Sequence, residues 1–135
     1  MPFRYLGDLR ELNGHALFGT GECVDLIKAL VPGLQRISTQ VWRKGATVKD
    51  SPGLARGTAI ATFGPDGRFP RANTGQHAAL FVAHAGAGMY VVEQYQASLV
   101  VVFRHMSVPR EHSIRPDGTF PIRSRNPLAF SVIER

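Results

Sequence analysis

Apolar and polar positions alternate in two different periods along this chain, helical near the N-terminus and two-residue beyond it. Residues 9–13 can form a short helix, capped by Asp8 and ended by Gly14. Residues 21–31 predict a second helix, stopped by Pro32-Gly33. On it Cys23, Leu26, Ile27 and Leu30 recur at helical spacing and share one face, while Asp25 and Lys28 fall off that stripe. Cys23 is therefore expected to point at whatever the helix packs on. Residues 34–54 carry no regular period and read as loop with room for one short helix, with Trp42-Arg43-Lys44-Gly45 in the middle.

The remainder predicts strands. Residues 58–63 form one, turned by Gly64-Pro65-Asp66-Gly67, with residues 68–75 as a loop. Two further runs, 76–83 and 89–95, are joined by His84-Ala85-Gly86-Ala87-Gly88, short enough for a hairpin. Residues 98–106 are a β-rich strand with Leu99-Val100-Val101-Val102-Phe103 as its centre. After a stretch punctuated by Pro and Gly, Phe130-Ser131-Val132-Ile133 closes the chain as a last strand. Helices first and an antiparallel meander after them predict an α+β fold, its N-terminal helices packed on one face of an antiparallel β-sheet. Along residues 76–83, His77, Ala79, Phe81 and Ala83 share a face, and the small alanines leave room there for a helix to approach.

Length and composition narrow the function classes. At 135 residues the chain is expected to be a single domain, 1–135, able to bury a core without disulfides or metal. No segment approaches the roughly 18 apolar residues of a membrane span, and the N-terminal residues lack the apolar core and cleavage site of a secretory signal. One cysteine excludes an intramolecular disulfide and a Cys-rich zinc site, and His15, His105 and His112 have no partner at ligand spacing. No metal and no cofactor are expected. The net charge of +6 suits an anionic partner such as nucleic acid, an acidic membrane surface or a bacterial wall polymer, or equally a plain solvated basic surface. Gly86-Ala87-Gly88 does not lead into a helix, so it is no phosphate loop. The aromatics are not interleaved with basic residues as a base-stacking platform requires.

The chemistry-bearing candidate is Cys23, in the run Gly19-Thr20-Gly21-Glu22-Cys23-Val24-Asp25 where a glycine turn enters a helix. A thiol in the first turn lies at the positive end of the helix dipole, which favours thiolate. A cysteine hydrolase also needs a histidine within hydrogen-bond reach and a polar group to fix that histidine's tautomer. His77, at a strand start, is the best placed of the five histidines, and His84 falls in the hairpin loop. If the hairpin turn centres on Ala85, Glu93 stands opposite His77 on the same face, with Tyr95 beside it. A register different by one residue would offer Gln94 from the wrong face instead. Trp42 and Tyr95 are candidates for walls of a substrate groove, Trp42 reading equally well as a core residue.

Gly21-Glu22-Cys23-Val24-Asp25-Leu26, Gly75-Gln76-His77-Ala78-Ala79-Leu80-Phe81 and Val91-Val92-Glu93-Gln94-Tyr95, in that order, resemble the nucleophile, general-base and third-residue blocks of the CHAP and NlpC/P60 papain-like amidases and peptidases. Trp42-Arg43-Lys44-Gly45, the block 57–63, Gly67-Arg68-Phe69-Pro70 and the closing Phe130-Ser131-Val132-Ile133 resemble, more closely, small single-domain bacterial amidases of CHAP type. Such families often carry Asp or Asn where Glu93 stands, and Asn or Trp where Tyr95 stands. The resemblance implies a papain-like core and Cys23, His77 and Glu93 as the catalytic residues. It implies hydrolysis of an amide in the peptide stem or cross-link of peptidoglycan. Small enzymes of this kind are typically phage lysins or toxins injected by a type VI secretion system. They are made in the bacterial cytoplasm, exported by a non-classical route and commonly neutralised by a cognate immunity protein. The expected enzyme is a monomer with no nucleic-acid and no membrane partner. Two other classes stay open: a protein glutamine deamidase or transglutaminase-like enzyme on the same triad, and a non-catalytic basic domain binding wall or nucleic acid.

Overall fold

The computed structural model describes residues 2–70, 75–109 and 122–135. Among them lie one α-helix, α1 (Cys23–Leu30), and six strands: β1 (Arg43–Thr47), β2 (Ala59–Thr62), β3 (Ala78–Ala85), β4 (Gly88–Glu93), β5 (Val102–Met106) and β6 (Phe130–Glu134). The strands form one open antiparallel sheet in the order β1-β6-β2-β3-β4-β5. This corrects the expected architecture: a papain-like NlpC/P60 core with several N-terminal helices is not what the chain builds. The run at 9–13 closes only a 3-10 turn, Arg10–Leu12, with Asp8 Oδ1 accepting from the Arg10 N–H at 2.9 Å. Its length is too short to nucleate an α-helix.

β1 was not expected. Its sequence, Arg43-Lys44-Gly45-Ala46-Thr47, is polar because it is an edge strand with exposure on alternate residues. The last strand, β6, does not close the sheet at an edge; it inserts between β1 and β2, with Phe130, Val132 and Ile133 buried. Part of the loop expected at 68–75, most of the punctuated stretch after residue 106, and His112 fall outside the described residues.

The sheet is covered on both faces. On one, α1 lays down Leu26 and Ile27, both fully buried, against Ala59, Ala61, Ala78, Leu80, Val82 and Val92. Each of these two helix side chains contributes roughly 1.5–3 kcal/mol by leaving water. On the other face Ile60, Ala79, Phe81, Met89, Val91, Met106 and Phe130 pack with Val48 and Leu54. The helix therefore seats on the Ala78 and Leu80 face, not on the Ala79 and Phe81 face that the alanine pattern suggested.

Candidate active site

Gly21 has φ +88° and lets the chain turn into the helix; a Cβ there would meet Leu17 Cδ1 at 3.0 Å. Glu22 is the extended N-cap, so Cys23 is the first helical residue, half-buried at the helix N-terminus. The loop before it is pinned from three directions. Asp25 Oδ2 accepts from the Thr20 N–H at 2.9 Å and from its hydroxyl at 2.6 Å. Gln96 Nε2 donates to the Thr20 carbonyl at 3.3 Å. Gln94, fully buried, accepts from the Phe18 N–H at 2.8 Å and donates to the carbonyls of Phe18 at 3.0 Å and Glu22 at 2.8 Å.

His77 directly precedes β3 and is 8% exposed. Its N–H donates to Thr62 Oγ1 at 3.0 Å and its carbonyl accepts from the Thr62 N–H at 3.0 Å, which ties it to β2. Its ring meets Phe130 edge-on. Its Nε2–H donates to Glu93 Oε1 at 2.8 Å, leaving Nδ1 as the ring nitrogen for Cys23, which lines the same cleft.

The route by which Glu93 reaches His77 differs from the expected one. The hairpin turn is Gly86-Ala87, with Ala85 against Gly88 and Ala83 against Tyr90. With that turn and regular pairing, Glu93 would stand opposite Leu80, on the helix face. A bulge between Phe81 and Ala83 inserts Val82 as an extra residue, so Phe81 pairs with Val91 and Leu80 with Val92. Continued by one residue, this register sets Glu93 against Ala79. Glu93 thus shares a face with His77 and lies diagonal to it, not opposite. Diagonal Cβ atoms are up to about 7–8 Å apart, a gap that the long glutamate side chain bridges.

On its other side Glu93 meets a residue absent from the expected set. Arg104, on β5, pairs with Val91 and so lies diagonal to Glu93 on the same face. Its Nε donates to Glu93 Oε2. The alternation of Val102, Arg104 and Met106 carries that signal once β5 is placed beside β4. Gln94, named in the sequence only as the residue a different register would offer, follows Glu93 directly and is turned to the opposite face from it, where its role is to hold the loop before Cys23.

Electrostatics follow from this geometry. Burial pulls the His77 pKa down, but the neighbouring Cys23 and the hydrogen-bonded Glu93 carboxylate outweigh it and raise the value from 6.5 to about 9. Burial pushes the Glu93 pKa up, yet the hydrogen bonds and positive charges of His77 and Arg104 bring it below its ordinary 4.5. At neutral pH the site holds an imidazolium between a buried carboxylate and the cysteine.

Cys23 and His77 line one cleft of about 500 Å³, with Glu22, Phe69, Gln76 and Tyr95 among its walls. Tyr95 is 46% exposed there. Trp42 is fully buried and touches Phe69 edge-on, so Phe69 forms the wall and Trp42 backs it. His84 is exposed and hydrogen-bonds the Ser51 carbonyl. Among the described residues no three His, Cys, Asp or Glu side chains gather as a metal site, and no helix is long and apolar enough to cross a membrane.

A family model of domesticated amidase effector 2 matches residues 6–119. A type VI secretion amidase effector 2 protein of Salmonella typhi is 31% identical over 142 aligned positions, covering 99% of this chain and all of that one. A solved structure of type 6 secretion amidase effector 2 (Tae2) superposes with a TM-score of 0.84 at 29% identity, covering 96% of this chain and 93% of that chain. These matches overturn the CHAP and NlpC/P60 resemblance as a family assignment. The three short blocks that carried it span few positions, whereas these matches run through nearly the whole chain.

Proposed function

The chain belongs to the domesticated amidase effector 2 family, and from that membership together with the site's geometry we propose that it is a cysteine-dependent peptidoglycan amidase. Its substrate is an amide bond in the cell-wall peptide stem or cross-link. The observation that supports this most is the meeting of Cys23 and His77 at a solvent-open cleft, with Glu93 buried against His77, the acid ionised and the histidine protonated.

Cys23 attacks the scissile carbonyl as thiolate, favoured by the His77 imidazolium beside it and by the helix N-terminus. The carbonyl oxygen, now negative, is met by the Cys23 backbone N–H, which at the first helical position has no acceptor within the helix. His77 delivers its proton to the departing amine, and the amide C–N bond breaks to leave a thioester. Water then loses a proton to His77 and attacks the thioester, releasing the carboxylic acid and restoring the thiolate. Glu93 keeps Nε2 of His77 protonated throughout, so Nδ1 carries the exchanged proton. Arg104 holds the second carboxylate oxygen. Tyr95 and Phe69 flank the peptide.

On this reading the protein is an antibacterial effector delivered by type VI secretion. It is made in the cytoplasm of the producing cell and restrained there by a cognate immunity protein. The +6 charge concentrates it at an anionic wall. The test is digestion of purified sacculi with mass analysis of the released muropeptides. Wild type should release fragments gaining one water per bond cut, and Cys23→Ala and His77→Ala should each lower the rate at least 10³-fold with unchanged folding. Full activity in Cys23→Ala would remove the nucleophile assignment. A mass gain of one unit on protein glutamines, with intact sacculi, would replace the amidase by a deamidase.

A further inference from the structure

His77 separates two clefts. Behind the one that Cys23 opens onto lies a second, of about 340 Å³, sharing Gln76, His77 and Tyr95 with it and otherwise lined by Glu93, Arg104, Ser124 and Arg125. Of the residues that line this second cleft alone, the chemistry above uses only Glu93 and its Arg104 contact. Its charge is one-sided. Glu93 is fully buried, and its two oxygens are taken by His77 and Arg104. Arg104 spends one of its five N–H donors on Glu93, and its side chain remains 41% exposed. Arg125 comes from the 3-10 turn Arg123–Arg125, which Arg123 fastens to the Gly75 carbonyl at 3.2 Å. At the junction of the clefts Gln76 Oε1 is buried and has no hydrogen-bond partner among the described residues. A buried acceptor left in that state costs about as much as a lost hydrogen bond, which an incoming N–H would recover.

We propose that this second cleft is a carboxylate-binding subsite, in which Arg104 and Arg125 hold a free carboxylate of the substrate peptide while the scissile amide lies over Cys23. The proposal rests on the amidase reading and names the substrate feature the enzyme selects. Planar guanidinium groups match a carboxylate with paired N–H donors, and the Ser124 hydroxyl adds a further donor. Because the two clefts share Gln76, His77 and Tyr95, an occupant of the second that is to be read together with the scissile amide belongs to the same short stretch of substrate. A peptide carboxylate meets that demand. A phosphate on a separate wall polymer does not.

The experiment compares cross-linked muropeptides with free carboxylates and the same muropeptides after carboxyl amidation, as substrates for wild type, Arg125→Gln and Arg125→Lys. Wild type should prefer the carboxylate form at least tenfold in kcat/KM, mostly through KM. Arg125→Gln should lose most of that preference, and Arg125→Lys should recover part of it. The preference is a ratio within each variant, so a general loss of attraction to the wall cancels. Equal cutting of both forms by wild type, or an unchanged preference in Arg125→Gln, overturns the subsite and leaves the amidase reading intact. Absence of cutting of either form by wild type overturns both.

Discussion

Glu93 has to satisfy two cations that lie diagonally on either side of it, His77 on the β3 side and Arg104 on β5. That geometry sets the side-chain length. An aspartate would keep the charge but fall short by one methylene of a diagonal that spans up to about 7–8 Å. Glu93→Asp is therefore expected to lower kcat/KM at least tenfold despite its unchanged charge. Glu93→Gln keeps the reach, loses the charge and turns an N–H toward Arg104. It should lower the rate as much and also move the pH profile. With His77 raised to about 9, the alkaline limb of kcat/KM in wild type should fall near pH 9, where the imidazolium is lost. In Glu93→Gln that limb should move toward neutrality, because the imidazolium has lost its counter-charge. Steady-state rates on soluble muropeptides from pH 5 to 10 read both effects. Wild-type rates in Glu93→Asp would end the diagonal-span account.

The elements show what was legible in the sequence. Helical spacing placed a helix at residues 21–31, and α1 is Cys23–Leu30, because Leu26 and Ile27 recur at the period that buries them. Residues 76–83 and 89–95 read as a hairpin and form β3 and β4. The contact between His77 and Glu93 was reached through a register that does not exist. Two local features decide it: the Gly86-Ala87 turn moves the partner of Glu93 from His77 to Leu80, three residues on, and the Val82 bulge takes it back by one, to Ala79. Neither leaves a mark in hydrophobic periodicity, since Val82 is as apolar as its neighbours. Gln94 was legible only as an alternative to Glu93. In the fold the two divide the labour: Glu93 holds His77 from one face of β4's end while Gln94 holds the loop before Cys23 from the other. Replacing Gln94 by methionine leaves the Phe18 N–H and the Phe18 and Glu22 carbonyls without their partner. Stability should drop by about 1–3 kcal/mol. The rate should drop at least tenfold, mainly in kcat, and alkylation of Cys23 by iodoacetamide should change with it. Thermal melting with wild-type kinetics would show that the clamp matters to folding alone.

Over the whole molecule, strand order was beyond the sequence because β6, from the C-terminus, lies between β1 and β2 and brings Phe130 against the His77 ring. Alternation reports which residues face together within a strand, not which strand is the neighbour. The folded sheet thereby encloses a charged pair in its interior, and the pair makes global stability depend on pH with a determinable sign. His77 binds its proton more tightly folded than unfolded. Its contribution is complete below the unfolded value of 6.5 and is lost as pH rises to about 9. Glu93 runs the other way: its contribution is present above 4.5 and is lost as pH falls through its lower folded value. The pair therefore stabilises most between about pH 4.5 and 6.5. The double variant His77→Gln/Glu93→Gln removes both titrations and keeps side chains of similar size. The Tm difference between wild type and this variant should be largest in that window, about 5 °C or more, and should shrink steadily toward pH 9. A difference that stays level from pH 5 to 9 would mean that the buried pair contributes packing and not charge.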